Sequence, residues 1–320
     1  EYGPPDVLRV GEVDRPVPAK GEVLIRVHAA EATKADCELR RFRFPVKWFW
    51  LPLRLAVGLR KPRRQILGGY FSGVVEALGE GVSAFEPGQA VFGSAGLRMG
   101  GYGEYMTLPE TATAVDKPSN LSFEEAAAVP LGGLNALHFL RRARVQPGEH
   151  VLVNGAGGSI GIFGVQIAKA MGAEVTAVDG AKKEKMVRDI GADHFIDYAK
   201  EDFTRSGRSF DVILDMVVSS SYARCVRSLR PGGRYALANP RLVDILRSFP
   251  STWFSDKDVI VAFARETTDE LRELSDLIDR GTIKVPLDRV VPLEGAIEAH
   301  RRVETEQRVG MVVISHRRDS

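Results

Sequence analysis

The chain has 320 residues, 27% of them charged, and a formal net charge of +2, which together predict a soluble globular protein of more than one domain. A charge so close to zero excludes a global attraction to nucleic acid, so we predict no nucleic-acid partner. The two cysteines, Cys37 and Cys225, exclude a disulfide framework and a four-cysteine metal site. We expect a cytoplasmic protein, because there is neither a signal-peptide pattern nor a run of about 18 uncharged apolar residues.

The first part of the chain, from Glu1 to about Pro118, has the pattern of short strands separated by turns. The turns are rich in Gly and Pro, as in the run 86–88. The predicted strands are Glu22–His28, Gly73–Gly79 and Gln89–Gly93. This pattern predicts an irregular, mostly antiparallel β domain over residues 1–118.

Strand and helix patterns alternate in the next part, residues 119–280. Ser122 with Glu125 three residues later predicts a capping box that opens a helical run. The strands and helices predicted after it are His150–Asn154, Ile160–Met171, Glu174–Val178, Lys182–Ile190, Val212–Asp215, Gly233–Leu237, Val259–Phe263 and Thr268–Arg280. Such alternation predicts a doubly wound parallel sheet. After Gly281 the β-like pattern returns and closes with Met311–Ile314.

A glycine-rich turn follows the first strand of this second part. Ala156, Gly158 and Gly161 have the A-x-G-x-x-G spacing of a dinucleotide-binding turn, placed between a strand and a helix. Small residues let the backbone approach a pyrophosphate, and the helix N-terminus offers it unpaired N–H groups. Asp179 ends the next strand, where an acidic residue binds ribose hydroxyls. The alternative is a tight strand–helix turn without a ligand. The predicted cofactor contacts at the turn are Ala156, Gly157, Gly158, Ser159 and Ile160.

With these motifs in view, the chain resembles the medium-chain dehydrogenase/reductases, within their zinc-independent quinone oxidoreductase and zeta-crystallin group. The resembling stretches, besides the turn, are 21–27, 101–105, 126–130, 190–198 and 229–233. The resemblance implies a Rossmann domain, residues 119–280, inserted into a GroES-like domain made of residues 1–118 and 281–320, with the active site in the cleft. It also implies that Asn135 contacts the cofactor and that the protein is a homodimer paired through edge strands such as Val259–Phe263.

The resemblance also bears on zinc. In zinc-dependent relatives three side chains hold the catalytic metal, and the matching positions here, Thr33, Gly69 and Leu131, do not form a Zn²⁺ ligand set. The resemblance therefore implies hydride transfer from NAD(P)H to a small hydrophobic enone, quinone or related carbonyl without a metal. Candidates to stabilise the developing enolate or to donate its proton are Thr33 and Tyr70. Asp36 is interpreted as structural, and solvent is an alternative proton source.

The preference between NADH and NADPH is divided. The carboxylate of Asp179 favours NAD(H), because its charge repels a 2′-phosphate. Lys183 and Tyr198 match the lysine and tyrosine that NADPH-using relatives place around that phosphate. We predict NAD(H) by a narrow margin, since a misplaced carboxylate is more harmful than an idle lysine is helpful.

The segment 40–64 is unusually basic and aromatic. It contains nine Lys or Arg, no acidic residue, and both Trp48 and Trp50. Our hypothesis is an apolar cap over the active site. The alternatives are a membrane-surface contact, a patch covered by another subunit, and a helical hairpin packed on its own domain.

Two other functions stay open on the sequence. One is a non-catalytic NAD(P)H-binding protein, either redox-sensing or membrane-associated, because a fold does not by itself establish activity. The other is a zinc-free alcohol or aldehyde dehydrogenase.

Overall fold

The structure, a computed structural model, describes residues 1–44, 54–55, 57–262 and 264–316. The strands are β1 (Glu22–Glu31), β2 (Tyr70–Leu78), β3 (Ala90–Ser94), β4 (Tyr105–Pro109), β5 (Thr113–Asp116), β6 (His150–Asn154), β7 (Glu174–Asp179), β8 (His194–Asp197), β9 (Phe210–Asp215), β10 (Leu229–Leu237), β11 (Asp258–Val261), β12 (Leu287–Pro292) and β13 (Met311–Ser315). The helices are α1 (Lys34–Arg41), α2 (Phe123–Ala127), α3 (Pro130–Arg142), α4 (Ser159–Ala170), α5 (Glu184–Asp189), α6 (Tyr222–Arg227), α7 (Leu242–Phe254), α8 (Thr268–Asp279) and α9 (Ala296–Glu304).

One sheet is mixed and contains strands from both ends of the chain. Its order is β12-β13-β1-β2-β3-β5, and β4 pairs with β1. The pairs are antiparallel except β12 with β13. Phe71 and Phe92 are fully buried in it, and burying such a side chain stabilises the fold by about 1.5–3 kcal/mol. Since β1 pairs directly with β13, strands from the two ends of the chain belong to the same sheet.

The other sheet is parallel, with the order β11-β10-β9-β6-β7-β8. Its strands are apolar runs because helices cover both faces. The order reverses between β6 and β9, and ligands of doubly wound sheets bind at the carboxyl ends of strands beside such a switch point. Asn154 and Asp215 end the two strands that flank it. The two sheets together confirm the predicted fold class, a Rossmann sheet inserted into a mostly antiparallel domain.

Helix α2 packs on the mixed sheet, and α3 packs mainly on α4 and α8, the helices that accompany the parallel sheet. The predicted capping box is present at α2, where the Ser122 side chain accepts from the Glu125 N–H and the Glu125 side chain accepts from the Ser122 N–H. The ring of Phe123 stacks on His28 with centroids 4.1 Å apart. After two intervening residues the next helix begins with Pro130, a residue suited to a first helical turn. The chain therefore crosses between the sheets from α2 to α3, beside the cleft.

A buried polar cluster joins α1 to α9 in the mixed-sheet domain. Arg40 forms an ion pair with Glu304 and donates to His300 Nδ1 over 2.8 Å. His300 Nε2 lies 3.1 Å from the Tyr102 hydroxyl, and Cys37 Sγ lies 3.3 Å from His300 Nδ1. Burial and the adjacent guanidinium lower the pKa of His300 to about 3. We name these five residues the anchor cluster, since it fastens one helix to the other.

Candidate functional site

The glycine-rich turn lies where β6 ends and α4 begins. Gly155 adopts the left-handed region, with φ of 84°, which glycine enters without strain. A Cβ on Gly161 would lie 2.2 Å from the carbonyl oxygen of Gly155, so the first turn of α4 approaches the strand end too closely for any side chain. The first helical bond is Ile162 N–H to Gly158 O, 2.9 Å. The preceding amides have no helical acceptor and can bind an anion.

Asp179 ends β7 directly beside this turn. Its carboxylate accepts hydrogen bonds from the backbone N–H groups of Gly157 and Gly180, each over 2.8 Å. It also forms an ion pair with Lys183 at 3.0 Å. The exposed Tyr198 donates its backbone N–H to the Asp179 carbonyl oxygen over 3.3 Å. The predicted adenosine residues therefore lie together, with the lysine already paired to the aspartate.

The remaining predicted cofactor residues lie around the same turn. Ala156 is fully buried beneath it. A Cβ on Gly132 of α3 would lie 2.4 Å from the Ser159 carbonyl oxygen, so α3 packs against the start of α4. Asn135, on this helix, is partly buried and donates its side-chain amide to the Leu131 carbonyl oxygen over 2.9 Å. The residues present thus fit a dinucleotide, because open amides, a strand-end acid and a polar helix side converge on one edge of the sheet.

Thr33 caps α1 at the end of β1. Its hydroxyl donates to Asp36 Oδ2 over 2.5 Å and accepts from the Asp36 N–H over 3.0 Å. Asp36 also accepts from the Gly68 N–H over 3.1 Å, and burial raises the pKa of Asp36 despite these bonds. The Thr33 hydroxyl therefore already makes the bonds of a helix cap, which agrees with the structural interpretation of Asp36.

Tyr70 begins β2 and forms a hydrogen bond across the cleft. Its hydroxyl donates to Glu266 Oε1 over 2.7 Å, and the other oxygen of Glu266 accepts from Ser94. Burial, and then the charge of Glu266, raise the pKa of Tyr70 well above its usual range. The phenol therefore stays protonated at physiological pH. Sequence reasoning missed Glu266, which lies in the loop between β11 and α8 and is brought to Tyr70 only by the fold.

Two further residues that sequence reasoning missed contact the glycine-rich turn. Ser159 Oγ donates to Glu31 Oε1 over 2.7 Å and accepts from Arg308 Nη2 over 3.2 Å. Glu31 ends β1 and Arg308 precedes β13, and both side chains are more than nine-tenths buried. A carboxylate in the otherwise apolar run Ala29-Ala30-Glu31-Ala32 was a usable signal for Glu31. No local pattern singles out Arg308. We name Glu31, Ser159 and Arg308 the cleft triad.

At the positions matched to catalytic zinc ligands, Thr33 caps a helix, Gly69 is buried, and Leu131 is partly buried in α3. The described residues contain no group of three or more His, Cys, Asp or Glu arranged to hold a metal ion. These positions offer no side chain that would bind zinc.

The basic segment 40–64 is described only in part, since Trp48, Trp50 and the rest of 45–53 lie outside the described residues, as does 56. Arg54 stacks its guanidinium on the rings of Tyr2 and Phe42, with centroid distances of 4.2 and 4.1 Å. Lys61, Arg63 and other residues line a groove with apolar side chains of α1 and of the loop after β3. In the part of the chain that the structure describes, every helix is too short or too polar to cross a membrane.

Comparisons with known proteins agree with this geometry. A family model described as Alcohol dehydrogenase GroES-like domain matches residues 19–119, and one described as Zinc-binding dehydrogenase matches residues 190–314. The quinone oxidoreductase of Mus musculus is 29% identical, in an alignment that covers 95% of this chain and 92% of that protein. The 2-methylene-furan-3-one reductase of Solanum lycopersicum is 28% identical, over 98% of this chain and 77% of that protein.

A solved structure gives the same result. The quinone oxidoreductase from Coxiella burnetii superposes with a TM-score of 0.88 at 27% identity, covering 99% of this chain and 97% of that one. The chain therefore belongs to the medium-chain dehydrogenase/reductase superfamily, in its zinc-independent quinone oxidoreductase-like group. By that membership it is an NAD(P)H-dependent oxidoreductase.

Proposed function

We propose that this oxidoreductase reduces a small hydrophobic quinone or enone with NAD(P)H, without a metal. The observation that carries the proposal is the bond from Ser159 Oγ to Glu31 Oε1, 2.7 Å. It joins the turn suited to the dinucleotide to the strand end that leads into Thr33, so cofactor and substrate groups share one cleft. When bound, the nicotinamide supplies the hydride. The names of the two relatives, a quinone oxidoreductase and a furanone reductase, support a conjugated carbonyl as substrate.

Tyr70 is the hydroxyl that we assign to the substrate oxygen. Its raised pKa keeps the phenol protonated, so it can donate a hydrogen bond to an oxygen that gains negative charge. When substrate binds, the phenol donates its hydrogen bond to the substrate oxygen in place of Glu266. Thr33 is less suited to this role, because its hydroxyl already donates a hydrogen bond to the Asp36 carboxylate and accepts one from the Asp36 N–H. We propose that Thr33 shapes the pocket and that water protonates the enolate.

For the cofactor we propose a narrow preference for NADH. Asp179 is the acceptor suited to the ribose hydroxyls, and its ion pair with Lys183 occupies the lysine that a 2′-phosphate would need. Lys183 and Tyr198 would have to turn toward a phosphate to favour NADPH. The aspartate therefore decides the preference as long as the pair persists.

Three finer features belong to the same proposal. The protein is a cytoplasmic homodimer, because two-fold pairing is the commonest symmetry and β11 ends the parallel sheet with an edge that can pair. The third feature is the hypothesis that the segment 40–64, of which 45–53 and 56 lie outside the described residues, forms an apolar cap that admits bulky substrates. Removing residues 45–53 should then change the ratio of kcat/KM between large and small enones, and unchanged ratios would contradict the cap.

The test of the function measures binding and turnover separately. Purified protein is titrated with NADH and with NADPH, and oxidation of each is followed with 1,4-quinones and enones. We expect binding and turnover, and in Tyr70→Phe a loss of about 10²-fold in kcat with the Kd for NADH unchanged. Tyr105→Phe, a ring that stacks on Arg15 outside the cleft, is the matched control. Binding without turnover would favour a non-catalytic protein, and no binding would overturn the proposal.

A further inference from the structure

The cleft triad contains two buried polar atoms that have no hydrogen-bond partner among the described residues. They are Glu31 Oε2 and Arg308 Nη1. Both side chains contact Ser159 through their other terminal atom, so the two unpaired atoms lie close to the first residue of α4. Buried polar atoms in folded proteins are almost always paired, and an unpaired buried charge is destabilising. Two such atoms at one place point to a ligand.

The chemistry of the surroundings indicates an anion. Arg308 has no ion-pair partner within the described part of the chain, and a guanidinium offers donors in a planar fork that matches phosphate oxygens. The first-turn amides of α4, with the positive end of its dipole, lie next to it. Gly158, before the helix, is open, since a Cβ there would meet only the Gly155 carbonyl oxygen, at 3.4 Å.

Arg308 reaches this place from the opposite domain. Its loop is fastened to the mixed sheet by the Val309 N–H, which donates to Asp288 Oδ1 over 2.8 Å. The Arg308 guanidinium itself reaches Ser159 Oγ, at the start of α4, over 3.2 Å. The guanidinium therefore faces the glycine-rich turn from across the cleft.

We propose that Arg308 binds the pyrophosphate of the dinucleotide from the side opposite the glycine-rich turn, and that the proton on Glu31 determines whether the guanidinium is available. The inference rests on the proposed function, because it takes the anion to be the phosphates of NAD(P)H. It adds a positioning pair, Glu31 and Arg308, contributed by the substrate-side domain to a site otherwise built from the Rossmann turn.

The role of Glu31 follows from its surroundings. Burial raises the pKa of Glu31 to about 8; the nearby Asp36 adds to the rise, while Arg308 and the bond from Ser159 oppose it. The charge of Glu31 also adds to the raised pKa values of Tyr70 and Tyr102, which burial raises most, so both phenols stay protonated around pH 8. Below pH 8 a neutral Glu31 leaves the Arg308 charge free for phosphate. Above pH 8 the carboxylate attracts the guanidinium, so affinity for the dinucleotide falls.

The experiment uses calorimetric titration of the full chain with NADH, ADP-ribose and adenosine. ADP-ribose keeps both phosphates without the nicotinamide, whereas adenosine has no phosphate. In Arg308→Gln we expect the Kd for NADH and ADP-ribose to rise at least tenfold, the range for a hydrogen bond to a charged group. The Kd for adenosine should be unchanged. Arg308→Lys, which retains the charge, should recover most of the affinity. Arg301→Gln, an exposed arginine paired with Asp6, is the matched control.

The pH profile tests Glu31. In the wild type the Kd for ADP-ribose should rise severalfold from pH 7 to pH 9, and in Glu31→Gln it should stay flat, since the amide is neutral throughout. Equal affinity of Arg308→Gln and the wild type for ADP-ribose would overturn the inference. So would an equal loss for adenosine, which would mark Arg308 as merely structural. Failure of the wild type itself to bind NADH or ADP-ribose would instead overturn the proposed function.

Discussion

The anchor cluster and the cleft triad are both buried and both contain an arginine and a glutamate, yet they differ in one respect. In the anchor cluster Arg40 bonds to Glu304, to His300 and to the Gly3 carbonyl oxygen. In the cleft triad Arg308 has one side-chain hydrogen bond among the described residues, to Ser159, and an unpaired nitrogen. A buried cluster that satisfies its own atoms stabilises the fold, whereas one that leaves charges unpaired is destabilising unless a ligand completes it.

The largest difference should come from removing each arginine in turn. Arg40→Ala leaves the buried His300 without its guanidinium donor and Glu304 with only the more exposed Arg41, at 3.5 Å, so we expect the free energy of unfolding to fall by about 3 kcal/mol. Arg308→Gln removes an unpaired charge, and its free energy of unfolding should change by less than about 1 kcal/mol. Urea denaturation of both variants without cofactor measures this. Equal losses would remove the distinction between the clusters.

A substitution in the glycine-rich turn can displace Ser159 of the cleft triad and leave the residues of the anchor cluster unchanged. In Gly161→Ala the new Cβ meets backbone at 2.2 Å, so the start of α4, with Ser159, must move. We expect a loss of about 3 kcal/mol in the free energy of unfolding, at the upper end for overpacking, together with loss of NADH binding. Gly158→Ala has its nearest atom at 3.4 Å and is the matched control for stability. A stable Gly161→Ala variant that binds NADH normally would contradict the assigned packing.

The parts of the fold that the sequence predicted are those with local signals. The strand–turn–helix around Gly158 was found because its residues are contiguous, and the parallel sheet was predicted from the alternation of strands and helices. Strand β4 and helix α1 were missed. The strand is five residues long, and the helix is capped by the pair Thr33 and Asp36, a usable capping-box spacing that sequence reasoning did not recognise as the start of a helix.

The candidate site, like the fold, was predictable only where its residues form a local motif. Its cofactor half is one motif plus the next strand end, and the structure brings Asp179, Lys183 and Tyr198 together. Its substrate half is assembled from distant segments, since Glu266 meets Tyr70 from 196 residues away and Arg308 meets Ser159 from 149. Such contacts depend on how the two sheets pack, which no local pattern encodes.

The two clusters should make contributions of opposite sign to the pH dependence of the free energy of unfolding. The pKa of His300 is lowered to about 3 in the folded state, so below its unfolded value the unfolded chain binds more protons and stability is lost as pH falls. The pKa of Glu31 is raised to about 8, so its contribution to stability is lost as pH rises from about 4.3.

The comparison is made with neutral variants that keep the shape. Relative to His300→Gln, the wild type should lose about 2 kcal/mol of its free energy of unfolding between pH 7 and pH 5. Relative to Glu31→Gln, it should gain stability over the same interval. Urea denaturation at several pH values measures both differences. Slopes of the same sign in the two comparisons would contradict the assigned environments.

Asp179 is an intermediate case between the two clusters. Its carboxylate is fully paired with groups of the protein, as in the anchor cluster, yet it lies at the turn that is predicted to bind the cofactor. Its partners are two backbone N–H groups and Lys183, so satisfaction alone would mark it as structural. If it also binds ribose, Asp179→Asn should shift the ratio of the Kd values for NADH and NADPH about tenfold toward NADPH, because the charge that repels a 2′-phosphate is gone. Lys183→Ala, which removes the cation, should shift the ratio the other way. An unchanged ratio in Asp179→Asn, with stability reduced, would mean that Asp179 only stabilises the fold of the turn and does not select the cofactor.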